Sequence, residues 1–586
     1  MFGGRPDDTS TFGQALSRLS ALVNWEAQDR TAHDGAFLRL DARPSEDLLE
    51  LLGNPHRSFQ TVHIAGSKGK GTVTAMVATA LAEAGIHVGA FCSPHVEAIN
   101  ERFVVGGRFV SDEDLARSLH AAIDARDRAA AQGSAGANSS WFDVLTAAGF
   151  HLFSEAGVEW AVVECGLGGD RDSTNVLSAR VCVLTNVELE HTKILGTTRE
   201  AIAREKLGIL SADCTLVTSL PPGADPPDPA AEVAREVAAA KGVRRTAFVD
   251  CSAFAGERHR GGAEDGAGAA VSGGLGGPSS AGGASGGGGG GGGGVASNDA
   301  VAETGGRGLV EVVVGESNFM HMNKLLAQAT LDELGRRGLQ MSAAAEVAAA
   351  GHSSSSSSSS HVSLSGEGER KGDGGDTTRA VGGWLLDVPA IALRAYDMLP
   401  GRLERFETVE GVNVVLDGAH VSESVRAVRE YLQQDCAGAG TGAGTRSNAG
   451  AGVGVGGGAS GDASGDANGG QGGGDSPPEP VIVFGLGREK SASSMACALA
   501  PVEGQTIVCT QVSDTEMYAS SATVAEAAKA AGFGNIEDVA DPVEAVARAV
   551  VIAQEQGSWV LVIGSLHLCG SVRPWLRAQG ARGGGE

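Results

Sequence analysis

The residues best placed to do chemistry lie at 61–72, TVHIAGSKGKGT. An apolar β-type run, Val62-His63-Ile64-Ala65, breaks into Gly66-Ser67-Lys68-Gly69-Lys70-Gly71-Thr72 and continues as an alanine-rich helical pattern over 73–84. Strand, glycine loop and helix make a phosphate cradle: glycines admit the anion to backbone N–H groups, the helix N-terminus adds partial positive charge, and Lys70 adds a full one. Thr72 could ligate Mg²⁺ or simply cap the helix. The spacing departs from GxxxxGK[ST], with Gly71 between the lysine and the hydroxyl, so the loop alone is also compatible with a glycine-rich turn.

The same layout recurs along the chain. An apolar run at 87–91 leads into Cys92-Ser93-Pro94-His95. A buried-strand pattern at 159–164 ends on Glu164 and is followed by Gly166-Leu167-Gly168-Gly169, and one at 180–186 precedes Glu188-Leu189-Glu190-His191. Helices are expected over 45–52, with Ser45 as N-cap and Gly53 as stop, and over 112–132, 141–155, 200–209 and 317–337. In the last third, strands at 412–416, 481–484, 506–509 and 559–563 alternate with helices at 422–434, 524–531 and 542–556. Polar clusters follow here too: Asp417 and His420, then 485–490, then Gly564-Ser565-Leu566-His567. Such alternation predicts parallel α/β sheets, which bind ligands beyond the carboxyl ends of their strands.

Three stretches, 256–308, 351–375 and 437–480, are rich in Gly, Ser and Ala and carry too little apolar surface to offset chain entropy. They are expected to be disordered insertions. The formal net charge of −26 argues against a nucleic-acid-binding surface. The nine cysteines have no CxxC pairing, and Cys92, Cys165 and Cys182 sit in apolar runs as expected for reduced core thiols. No apolar run is long enough to span a bilayer, and the N-terminal residues resemble neither a signal nor a transit peptide. A cytoplasmic or mitochondrial protein without membrane partners is expected.

Seven segments occur in one order: GSKGKGT, CSPHVEAINERF, ECGLGGDRDSTNV, EHTKILGTTREAIAREKLGI, LPGRLERF, DGAHVSES and GSLHLCGSV. Together they resemble the folylpolyglutamate synthase/dihydrofolate synthase family of the Mur ligase superfamily. The resemblance implies a P-loop Mur-ligase-type ATPase domain over 12–398 and a smaller Rossmann-like α/β domain over 399–586. It implies ATP and Mg²⁺, an acyl-phosphate intermediate on a pterin carboxylate, and attack by L-glutamate, with dihydropteroate or tetrahydrofolate as acceptor and a monomeric protein. It further implies that Gly66, Gly69, Lys70, Gly71, Thr72, Asn323, Arg402 and Asp417 contact ATP. Ser93, Glu164 and His191 would ligate Mg²⁺, Lys70, His191 and Lys206 would serve catalysis, and His420 and Ser565 would line the glutamate side. Lys206 matches the lysine that the family carbamylates.

Three departures stand out. Of the family's His-Gln-x-x-Asn beside adenine only Asn323 is present. Asp143 replaces a glutamate and is one methylene shorter, so its partner is in question. Arg488-Glu489-Lys490 replaces Asp-Lys-Asp. A non-catalytic homologue and another Mur-type amide ligase are the competing readings. LPGRLE, with 22–26, favours dihydropteroate as the acceptor over tetrahydrofolate.

Overall fold

The computed structural model describes residues 11–24, 41–221, 223, 227–250, 310–313, 319–337, 339, 379–381, 384–386, 391, 394–396, 398–438, 478–488, 490–513 and 517–580. The expected insertions at 256–308 and 351–375, and all but the ends of 437–480, lie outside these residues, as does Glu489.

Two sheets organise the chain. The first contains β1 (Gln60–Ala65), β2 (Val88–Phe91), β3 (Phe103–Val105), β4 (Arg108–Phe109), β5 (Trp160–Glu164), β6 (Val181–Leu184), β7 (Thr215–Thr218), β8 (Arg245–Asp250) and β9 (Val310–Val313). Their order is β4-β3-β2-β5-β1-β6-β7-β8-β9, parallel from β2 to β9, with β3 and β4 as an antiparallel margin. β1 is central, with β5 on one side and β6 on the other. The chain turns about it, so the loop after β1 opens into the crevice where such sheets bind ligands. Beyond a short hairpin, β10 (Arg379–Val381) with β11 (Trp384–Leu386), comes the second sheet. It is built from β12 (Glu404–Glu407), β13 (Asn413–Asp417), β14 (Val481–Phe484), β15 (Thr506–Cys509), β16 (Asn535–Asp538) and β17 (Val560–Ile563), in the order β12-β13-β17-β14-β15-β16. Only β12 runs antiparallel.

The reasons are local. β2, β6, β14, β15 and β17 are short apolar runs buried along their length, the pattern of strands covered on both faces. The helix Lys70–Glu83 is apolar around its circumference, with Val73 to Leu81 buried, because the sheet covers one side and the helix Phe319–Arg336, through Leu326 and Leu334, the other. The helices Asp112–Gln132 and Trp141–Glu155 keep their expected bounds, since Ser111 and Ser140 cap their first turns and Gly133 ends the former.

Three expectations are corrected. The helix expected at 45–52 is Arg43–Leu51, with Ala42 at its N-cap. Ser45 lies inside it, buried, and donates to Asp143 Oδ1 at 2.9 Å, so a tertiary acceptor displaced the local cap. Asp143 itself is fully engaged. It also accepts from Ser173 Oγ (2.6 Å) and the Ser140 amide (2.8 Å), so the shorter side chain finds partners. Thr72 does not cap its helix: Gly69 is the N-cap and Thr72 lies in the first turn. The edge strand β16, with the polar sequence NIED, has no apolar signature and forms by pairing with β15. Among the described residues seven cysteines are free, with Cys92, Cys165 and Cys182 buried, and no helix is long and apolar enough to cross a membrane.

Candidate active site between the two sheets

Each glycine of the loop after β1 makes room for a different neighbour. A Cβ on Gly66 would sit 1.8 Å from Thr185 Oγ1, and one on Gly69 2.2 Å from Asn323 Oδ1; both have positive φ. A Cβ on Gly71 would sit 3.2 Å from Glu164 Oε2. The extra glycine thus brings the helix's first turn against the carboxylate that ends β5. Intrahelical bonding begins with Val73 N–H to Gly69 O (2.9 Å), so the amides of Lys70, Gly71 and Thr72 precede it as an anion-binding N-terminus.

The loop is moored by residues that sequence reasoning missed. Asn186 Oδ1 accepts from the amides of Ser67 (3.2 Å) and Lys68 (2.8 Å), and Thr185 Oγ1 donates to Lys68 O (2.6 Å). Their only sequence signal is that they directly follow the β6 run.

Three lysines crowd this loop. Lys70 Nζ and Lys206 Nζ both donate to Gly66 O, at 3.1 and 2.8 Å. Lys206, 2% exposed, also pairs with Glu190 Oε1 at 3.2 Å, while Lys68 lies 3.5 Å from Glu190 Oε2. Burial, then Lys70, pushes the Lys206 amine down to about 8, against the pull of Glu190. Burial works to raise the Glu190 carboxyl, but Lys206, Lys70 and Lys68 bring it below its ordinary value.

Glu164 is buried, and burial lifts its carboxyl to about 7, although Lys70, the Ser93 amide and Arg402 all favour the charged form. Ser93 meets it through its backbone N–H, 3.0 Å from Oε2. The expected third member, His191, is exposed, with φ 47, at the N-cap of the short helix Thr192–Leu195. Its neighbour Glu190 is the side chain that reaches the lysines. No group of three or more His, Cys, Asp or Glu side chains that could hold a metal occurs among the described residues. A cation held at Glu164 would complete its shell with other donors such as a hydroxyl, an imidazole, water or phosphate oxygens. A buried carboxylate facing a glycine is a fitting anchor for such an ion.

Asn323 is 1% exposed and its Nδ2 has no hydrogen-bond partner. The structure places it beside Gly69, against the loop after β1.

From the second sheet, the turn before β12 brings Arg402 within electrostatic reach of Glu164 and Asp417. Asp417, at the end of β13, is buried. Its Oδ2 accepts from Leu403 N (3.0 Å) and its Oδ1 from Ala419 N (2.8 Å). Leu403 has φ 48, a left-handed conformation costly for a leucine. Asp417 thus holds the strained turn that presents Arg402. Burial raises the Asp417 carboxyl above its ordinary value. Asp417→Asn, which turns one acceptor into a donor against an amide, is expected to cost about 1–3 kcal/mol of stability, read from the urea midpoint; an unchanged midpoint would remove this role. His420 Nδ1 lies 2.9 Å from Gly418 O, and burial pushes this imidazole down to about 4. Ser565 is buried, and its Oγ accepts from His567 N at 3.2 Å, at the start of the helix Leu566–Gly580.

No family model matches the chain. Curated relatives do. It is 38% identical over 214 residues to folylpolyglutamate synthase of Lacticaseibacillus casei, covering 36% of this chain and 49% of that one. It is 36% identical over 248 residues to dihydrofolate synthase/folylpolyglutamate synthase of Mycobacterium tuberculosis, covering 40% and 48%. The chain is similar to the folylpolyglutamate/dihydrofolate synthases. It spans about half the length of these curated relatives. The fold agrees along the chain. Folylpolyglutamate synthase of Thermotoga maritima superimposes with a TM-score of 0.57 at 22% identity over 97% of this chain and 96% of that one. The Mycobacterium tuberculosis enzyme complexed with ADP and AMPPCP gives 0.59 at 20% over 97% and 99%. Escherichia coli FolC with DHPP and ADP gives 0.56 at 19% over 98% and 99%. The two-sheet α/β architecture is therefore that of the folylpolyglutamate synthases.

Proposed function

We propose that this chain is an ATP-dependent ligase that joins L-glutamate to a pteroate or folate carboxylate through an acyl phosphate. The observation that carries the reading is the convergence on Glu164 of three separate segments: the helix N-terminus with Lys70, the Ser93 amide, and Arg402 from the other sheet. A carboxylate is a poor electrophile, and phosphorylation supplies its leaving group. Charge neutralisation and alignment are then what the protein must provide.

Lys70 and the amides that precede Val73 would hold the β- and γ-phosphates of ATP, with Asn323 Nδ2 beside them and Arg402 closing from the second sheet. Mg²⁺ bound with ATP would neutralise phosphate charge as it shifts during transfer. Glu164, Ser93 and His191 are the proposed residues for it. Lys206 is the proposed site of carbamylation: its amine, pushed down to about 8, is partly neutral near physiological pH, the form that takes up CO2. His420 and Ser565 would face glutamate. The two sheets would form separate domains, 12–398 and 399–586, of a monomer acting in the cytoplasm or mitochondrion. Their meeting would exclude water from the acyl phosphate.

Dihydropteroate is the proposed acceptor. Glutamate-dependent ADP release, measured with dihydropteroate and with tetrahydrofolate, is expected with the former. Turnover of tetrahydrofolate alone would overturn this preference, and none with either would overturn the ligase reading.

A further inference from the structure

The helix Leu566–Gly580 contributes a buried guanidinium outside the cluster at Glu164. Arg573, its side chain 3% exposed, divides its fork among three carboxylates from two segments far apart in sequence. Nη1 donates to Glu101 Oε1 (2.7 Å) and Glu97 Oε2 (3.0 Å). Nη2 donates to Glu404 Oε1 (3.0 Å), and Nε lies 2.9 Å from Glu404 Oε2.

Each end also holds backbone. Glu101 Oε2 accepts from the amides of Val96 (2.6 Å) and Glu97 (3.1 Å). Glu404 Oε2 accepts from Gly401 N (2.8 Å). The first segment continues from Ser93, whose amide meets Glu164; the second contains Arg402, whose charge acts on Glu164. Gly570 allows the close approach, since a Cβ there would lie 2.4 Å from Val96 O.

We infer that Arg573 is a positioning residue that holds the Ser93 and Arg402 segments in register on Glu164 across the cleft. The effect on turnover rests on the ligase reading above; the effect on cleft geometry does not. The charge balance sets a direction. Without Arg573, the buried Glu101 and the part-exposed Glu404 lose the guanidinium they share and are left as like charges, while the half-exposed Arg577 lies 3.0 Å from Glu97. Breaking a buried pair leaves uncompensated charge, so the cleft opens and does not merely loosen. Lysine, a single point charge, cannot replace a fork shared three ways.

The test uses the full chain with Cys251→Ser and Cys436→Ser. Spin labels are placed on the exposed Cys497 and on Glu113→Cys, one beside each sheet. Arg573→Met is expected to lengthen the label distance and to lower kcat by about 100-fold, the scale of an ångström-sized misplacement. Affinity for a fluorescent ATP analogue should fall far less than kcat, because the loop after β1 is untouched and of the proposed ATP contacts only those on the Arg402 side shift. Adding Glu101→Gln and Glu404→Gln removes the repulsion and should restore the distance and part of kcat. An unchanged distance would overturn the inference, as would a parallel fall in kcat, nucleotide affinity and Tm, the mark of a packing role. If Arg573→Met does not fold, Arg573→Lys is read by the same criteria. If the parent protein shows no ligase activity, the functional reading fails, while the label distance still decides this one.

Discussion

Lys70→Ala is expected to lower glutamate-dependent ADP release by about 10³-fold, the scale of losing one preorganised charge-stabilising group at a phosphoryl-transfer site. Lys70 Nζ rests on Gly66 O and acts electrostatically on Glu164 and Lys206, so it sits where phosphate charge and metal charge would meet. The fold should survive. Lys70 is the first residue of its helix, alanine is a strong helix former, and the substitution relieves two ammonium groups crowded on one carbonyl. A second consequence follows for Lys206. With Lys70 gone, one of the causes that push its amine down is removed, so the Lys206 pKa should move back toward its ordinary value. Steady-state kinetics and ¹⁵N-lysine titration would measure the two effects. Activity within about threefold of the parent would show that catalysis does not pass through this loop.

Glu164→Gln should separate activity from stability. The carboxylate is the proposed metal anchor, and its loss is expected to lower kcat by about 10²–10³-fold. Yet the metal-free protein should become more stable. Burial raises this carboxyl to about 7 in the folded chain, above the ordinary value of about 4.5 that it regains on unfolding. Folding therefore favours the protonated form. The parent loses stability as pH rises from 4.5 through 7, and the loss is constant above that. Glutamine does not titrate and escapes it, so the gain is at most about 3 kcal/mol above pH 7 and vanishes towards pH 4.5. Urea unfolding in EDTA at pH 8 and pH 5 tests the sign. A variant less stable than the parent at pH 8 would mean that Glu164 is held as a well-compensated structural carboxylate. Stability given up at one buried charge is the pattern of a site kept for function.

Much of the fold was legible because its signals are local. The strands 481–484 and 506–509 and the helices at 112–132, 141–155 and 542–556 keep their expected bounds, since burial on both faces gives short apolar runs and capping residues mark helix ends. Elements without such marks were missed. β12 and β16 are edge strands that exist only through their neighbours, and the helix Leu566–Gly580 has an internal Pro574 and no acidic first turn. Ser45 misled for the same reason: its sequence reads as a cap, while a partner 98 residues away takes its hydroxyl.

The site divides along the same line. The strand-loop-helix around Lys70 and the carboxylate closing β5 could be read from residue type and order, because backbone propensity and glycine placement are short-range properties; Lys206 was marked only by the resemblance to the family. Tertiary structure decided what those groups meet. It set Gly71 against Glu164, moored the loop on Thr185 and Asn186, gave Asp417 to backbone amides, and left His191 exposed while Glu190 reached Lys68 and Lys206. It alone revealed Arg573, whose partners lie up to 476 residues away. Burial and charge compensation depend on which distant segments share a volume, and no local pattern carries that information.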